Sequence, residues 1–224
     1  MLLRFKHFLT VAGEKLPNNW LIQFQAAVNY LTLGRWMREH GLVFRHRVRH
    51  RQEVWSEMIK RVADRPVLYL EFGVWQGESS RFWANGLKHP ETKLHGFDSF
   101  EGLPDSGGPW VKGQFDVQSR IPIIADPRVQ FFKGWFDQVL PGYKLPPHEL
   151  LVINMDADLY SSTIYVLRQL RPWIKPGTLI YFDEMNHVEH EPRAVDEFMR
   201  ESGVRFKAVS GDQSLAHVAF ECIQ

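Results

Sequence analysis

The sequence predicts an α/β fold whose sheet is mostly parallel, with one antiparallel strand at the end. Three observations carry this prediction. After Pro66, short apolar runs alternate with longer amphipathic segments, the pattern of repeated strand–helix units. The first run ends in a glycine turn and later ones in acidic residues, which is where an open parallel sheet gathers its ligand contacts. The last two runs are joined by a turn around Gly211-Asp212, too short for a parallel crossover, so that pair is antiparallel.

Taken in order, Pro17-Asn18-Asn19 reads as a turn and cap, and Trp20, Leu21, Phe24, Ala27 and Val28 then recur at helix spacing. Tyr30, Leu31, Leu33 and Trp36 continue the pattern less regularly. Residues 1–64 are therefore expected to form a helical extension whose apolar face packs on the sheet domain, and residues 65–224 the sheet domain. The expected strands are Val67–Phe72, Lys93–Asp98, Val129–Phe132, Leu150–Met155 and Thr178–Phe182, followed by Phe206–Val209 and Leu215–Phe220.

Composition narrows the function. The 224 residues are 44% hydrophobic, enough for one full core but not for two large domains. A net charge of +1 argues against binding nucleic acid through bulk electrostatics. Cys222 is the only cysteine, so neither an intrachain disulfide nor a cysteine-based zinc site can form. The opening residues mix charge with apolar side chains and do not read as a secretory leader, and no apolar run approaches membrane-spanning length. A soluble, cytoplasmic protein with no membrane partner is expected.

The first strand runs into Glu71-Phe72-Gly73-Val74-Trp75-Gln76-Gly77-Glu78-Ser79-Ser80. The spacing is Gly73-x-x-x-Gly77 instead of G-x-G-x-x-G, and Glu78 would repel a pyrophosphate. An amino-acid zwitterion fits better, with Glu71 on its ammonium and Ser79 at the helix N-terminus on its carboxylate. That suits the methionine half of S-adenosylmethionine. Asp98, at the end of the second strand, is placed to accept hydrogen bonds from two ribose hydroxyls. The competing reading is a structural turn with a capping aspartate.

Asp156-Ala157-Asp158 follows the fourth strand and Asp183-Glu184 the fifth. If those strands are neighbours, Asp156, Asp183 and Glu184 converge, and a hard ion such as Mg²⁺ would offset their repulsion. A bound metal would acidify an alcohol, or Asp156 would take its proton directly as general base. Helix capping is the alternative for each acid taken singly, and Asp158 is the one most readily explained that way.

The strings E-F-G-V-W-Q-G from Glu71, D-S-F-E-G-L-P from Asp98, K-G-W-F from Lys133 and D-A-D-L-Y-S-S-T from Asp156, then Pro176-Gly177 leading to Asp183-Glu184, occur in that order. Together they resemble the macrocin O-methyltransferase-like (TylF) family over roughly Val67 to Asp196. The resemblance implies a Rossmann-like class I methyltransferase sheet, S-adenosylmethionine-dependent and Mg²⁺-assisted methylation of a sugar or glycosylated natural product, and N-terminal helices that cover the site or join copies of the chain. It puts Glu71, Gly73 and Ser79 at the methionine part and Asp98 at the ribose, with Ser99 beside it among the cofactor-binding residues. Trp135 falls near the adenine, and Asp156, Asp183 and Glu184 at the metal, with Asp156 also the base. Two residues depart from the pattern: Glu184 stands where the family has aspartate, and Ala157 where it has glycine.

Other features have less definite readings. His187 and His190 read mainly as solvated loop residues, and Arg45–Arg51 as an exposed basic helix face. Ser106-Gly107-Gly108-Pro109-Trp110 reads as a mobile flap. The rival functions are a D-x-D metal-dependent glycosyltransferase, built on Asp156-Ala157-Asp158, and a non-catalytic binder of an adenosyl ligand.

Overall fold

The computed structural model describes residues 2–224. Its strands are β1 (Arg47–Val48), β2 (Val67–Phe72), β3 (Lys93–Asp98), β4 (Val129–Lys133), β5 (Leu150–Met155), β6 (Leu179–Phe182), β7 (Phe206–Asp212) and β8 (Val218–Cys222). The principal helices are α1 (Leu2–Gly13), α2 (Asn18–Glu39), α3 (Arg51–Val62), α4 (Glu78–Gly86), α5 (Phe136–Val139), α6 (Tyr160–Leu170) and α7 (Glu191–Ser202). All eight strands form one sheet in the order β1-β7-β8-β6-β5-β2-β3-β4. Strand β8 runs antiparallel to both neighbours, β6 and β7, while every other pairing is parallel. This is an α/β Rossmann-like sheet of the expected kind, and its antiparallel strand, the last in the chain, is inserted between β6 and β7.

Every residue of β2 is buried, because helices cover both faces of the sheet. Alternation along the strand sends Leu68, Leu70 and Phe72 into one core, with Phe97, Ile153, Phe182 and the inner sides of α6 and α7. Val67 and Tyr69 enter the other, with Trp83 and with Val54, Trp55, Met58 and Val62 of α3. The Trp55 ring packs 5.3 Å from Phe82 and 5.8 Å from Tyr181, so α3 is fastened to both α4 and the sheet.

Residues 47–62, grouped with the helical extension from the sequence, thus lie on the sheet. Arg47 and Val48 pair with Gly211 and Asp212, which makes part of the basic run an edge strand and not a helix face. The true additions are α1, which buries none of its residues, and α2, which buries only Leu33 and Met37. The indole of Trp36 donates a 2.9 Å hydrogen bond to Asp196, tying the end of α2 to α7. Trp20, Leu21, Phe24 and Val28, the periodic apolar residues, are exposed. No helix among the described residues is long and apolar enough to cross a membrane.

Trp55→Ala is expected to destabilise the fold by about 3–5 kcal/mol, because the emptied site is bounded by sheet and helix and collapses poorly. A lower urea midpoint at unchanged m-value would register this.

Candidate active site

The chain leaves β2 toward β3 on one side, while β5 flanks β2 on the other, so strand order reverses between β2 and β5. A cavity of about 780 Å³ opens there, beyond the carboxyl ends of β2, β3, β5 and β6. Gly73, Ser79, Asp98, Ser99, Trp135, Asp156, Asp183 and Glu184 all line it. Of the residues expected from the sequence, only Glu71 does not.

Gly73 makes the reversal possible. Its φ is +91°, and a Cβ there would lie 1.8 Å from the carbonyl oxygen of Asp156. Its amide donates to Phe97 (3.1 Å), and the amide of Asp156 donates to Phe72 (2.9 Å), so three strand ends meet around one residue without a side chain. Gly77, at φ +75°, then turns the chain into α4, whose first-turn amides and Ser79 face the cavity.

Asp98 holds this turn from below. One carboxylate oxygen accepts the amides of Val74 (2.7 Å) and Trp75 (2.8 Å), and the other that of Phe100 (2.6 Å). Three of about four lone-pair directions are therefore filled, leaving room for one ligand hydroxyl rather than the expected two. Ser99 is engaged in its own turn, donating to the Gly102 carbonyl and accepting the Glu101 amide. Trp135 immediately precedes α5 and forms part of the wall.

Glu71 is sealed beneath α4 and cannot reach a ligand ammonium, contrary to expectation. It has no exposed surface, and its carboxyl accepts hydrogen bonds from the Ser79 and Ser80 hydroxyls and, at 3.4 Å, from the Asn154 amide. Burial pushes its pKa up to about 7 although the serine hydrogen bonds act in the opposite sense.

On the opposite rim, Asp156, Asp158, Asp183 and Glu184 share the cavity wall. Burial and then the neighbouring Asp183 and Asp158 charges hold Asp156 well above the usual carboxylate range. The same causes raise Glu184 to about 8, and burial with Asp183 raises Asp158 to about 7. Asp183 is the member whose charge the surroundings favour. Burial works against its ionisation, but His217, the Tyr181 hydroxyl and Arg51 outweigh that cost and lower its pKa. Tyr181 donates to Asp183 Oδ1, and His217 Nδ1 lies 3.1 Å from the same oxygen, off the ideal donor line. Arg51 Nη1 lies 3.6 Å from Oδ2.

This donor set does not fit Mg²⁺ as expected. Both oxygens of Asp183 already face donors, and among the described residues no three His, Cys, Asp or Glu side chains are arranged to hold a metal together. S-adenosylmethionine fits better. The glycine turn, the α4 amides, the remaining acceptor position of Asp98 and the Trp135 wall line one continuous cavity.

The flap is docked in this structure. Trp110 is buried, with its ring 4.7 Å from His187 and 4.9 Å from His190, so both histidines form its seat. Arg51, Tyr181, His217 and the fully buried Glu191, which accepts the Glu184 amide at 2.7 Å, were not expected at the site. For Tyr181 a signal existed, since the side chain two residues before Asp183 on β6 shares its face.

A family profile described as "Methyltransferase domain" matches residues 70–185, about half the chain. The 8-demethyl-8-(2,3-dimethoxy-alpha-L-rhamnosyl)-tetracenomycin-C 4'-O-methyltransferase of Streptomyces olivaceus is 33% identical over 51% of this chain and 51% of its own length. The demethyldecarbamoylnovobiocin O-methyltransferase of Streptomyces niveus is 27% identical over 64% of this chain and 62% of its own. The chain thus spans between half and two thirds of these relatives. Among solved structures, the O-methyltransferase NovP superposes with a TM-score of 0.59 at 22% identity, covering 78% of each chain. The calicheamicin methyltransferase CalS11 gives 0.55 at 18%, covering 76% of each. At these identities the two structures establish a common fold.

The raised pKa of Glu71 has a definite sign. A carboxyl near 7 when folded and near 4.5 when unfolded favours folding below about pH 4.5, and loses that contribution as pH rises through 7. Urea melts across pH 5–8 should therefore show a shallower loss of stability with rising pH in Glu71→Gln than in the wild-type chain.

Proposed function

Because the chain belongs to the methyltransferase-domain family, we propose that it transfers the methyl group of S-adenosylmethionine to a hydroxyl of a small glycosylated acceptor. The observation that carries this reading is the single cavity at the strand-order reversal, which joins the glycine turn and Asp98 to the Asp156 edge. The sugar-bearing acceptor class rests on the two Streptomyces relatives, one of which is named for a rhamnosyl substrate. Placement within the macrocin-like subgroup is part of the same proposal. The glycosyltransfer reading is set aside, since the family match runs through Asp156-Ala157-Asp158 itself.

When bound, S-adenosylmethionine supplies a sulfonium-activated methyl carbon open to in-line attack. The first-turn amides of α4 would hold the amino-acid carboxylate, Asp98 one ribose hydroxyl, and Trp135 the adenine. Asp156 receives the acceptor's hydroxyl proton. Burial and the neighbouring acids raise its pKa in the unliganded chain, and an incoming positive charge beside it favours the carboxylate that can act as base. The docked flap excludes water and aligns the acceptor, which is the main source of rate in such a displacement. Magnesium assistance has no place in this proposal, because Asp183 faces protein donors on both oxygens. The exposed apolar residues of α1 and α2 support association between copies of the chain as a further part of it.

S-adenosylhomocysteine should bind one-to-one in calorimetry, and absence of binding would remove the proposal. Asp98→Ala is expected to weaken that binding by about tenfold or more, a loss near 1.4 kcal/mol. Asp156→Asn, close in shape to the aspartate, should bind like the wild type while abolishing methyl transfer.

A further inference from the structure

Asp156, Asp158, Asp183 and Glu184 crowd four acids onto one rim with Glu78 across the cavity, and among the described residues Arg51 is the one arginine or lysine paired with any of these acids, namely Asp183 and Glu78. Three contacts fix its side chain. Nη2 lies 3.0 Å from Glu78 Oε2, Nη1 lies 3.6 Å from Asp183 Oδ2, and the guanidinium stands over the Trp55 ring at 5.3 Å. Arg51 and Trp55 are four residues apart on α3, so they share a helix face, and Trp55 is itself wedged against Tyr181. The entry to α3 is fixed in turn by the pairing of β1 with β7 and by the capping box between His50 and Glu53. Burial penalises the Arg51 charge, yet Asp183, Asp156 and Glu78 together stabilise it.

We propose that Arg51 is the resident cation of the acidic rim, holding Asp183 and Asp156 in place of a divalent metal and positioning them for the acceptor. A metal on Asp183 Oδ2 would sit at about 2.1 Å from that oxygen, hence within about 6 Å of the Arg51 guanidinium, and the two like charges would repel. Guanidinium and metal therefore compete for the same oxygen. The catalytic consequence rests on the methyl-transfer reading; the competition for the acids does not.

The test titrates the purified chain with Mn²⁺ alone, read by the paramagnetic signal of the free ion, beside S-adenosylhomocysteine calorimetry on the same preparation. The wild type is expected to bind no stoichiometric Mn²⁺ at sub-millimolar concentration, and its methyl transfer should survive EDTA. Arg51→Met keeps a stem on Trp55 and should leave the melting temperature and S-adenosylhomocysteine affinity near wild type. Its kcat should fall more than tenfold, with Arg51→Lys recovering most of the loss. One Mn²⁺ bound per wild-type chain and lost in Asp183→Asn would overturn the proposal, as would wild-type kcat in Arg51→Met. Failure to bind S-adenosylhomocysteine would count against the methyl-transfer reading alone, since the Mn²⁺ titration still decides the metal question.

Discussion

The site depends on the close approach of Gly73 to the backbone of Asp156. With 1.8 Å between the Asp156 carbonyl oxygen and any Cβ at Gly73, β2 and β5 can release their chains side by side only because residue 73 has no side chain. That contact sets the separation of the cavity's two halves. On one side the turn continues through Val74 and Trp75 onto the Asp98 carboxylate and then into α4. On the other it fixes the start of the segment carrying Asp156 and Asp158, whose left-handed φ of +56° is a second strained point on the same rim.

Charge is distributed unevenly across this frame. The ligand-holding side depends on neutral donors and one half-buried acceptor, whereas the opposite rim concentrates acids that disfavour one another's charge. The protein eases the conflict by favouring the charge of one of them. Tyr181, His217 and Arg51 all converge on Asp183, and Asp156, Asp158 and Glu184 are left above their usual range. Buried Glu191 extends the pattern by accepting the Glu184 amide from behind. The rim thus behaves as one electrostatic unit and not as four independent carboxylates.

Much of this was legible in the chain. The core strands, the glycine turn, and the acids closing β3, β5 and β6 follow from alternating apolar runs and what interrupts them. Other features were not, for identifiable reasons. Val67–Phe72 is buried on both faces, so its composition does not say on which side of the sheet Glu71 lies, and it lies beneath α4. β1 has only two residues and exists through a partner far along the chain, which no local pattern reports. Arg51 sits in a run of arginines and histidines that reads as surface, and only the packing of Trp55 against Tyr181 singles it out. The docking of Trp110 on His187 and His190 likewise joins two loops with no periodicity of their own.

The position of β8 has a consequence for biosynthesis. It is inserted between β6 and β7, and α3 rests on β7 and β8, so the chain through Cys222 must leave the ribosome before the sheet can close. Until then β6 presents an unpaired edge, and the acids at its end lack His217, which lies just before β8, and the firm seating of Arg51. A nascent chain interrupted before residue 217 would therefore carry a formed glycine turn beside an unassembled acidic rim. In such a chain any capacity to retain an adenosyl ligand would precede any capacity to act on an acceptor.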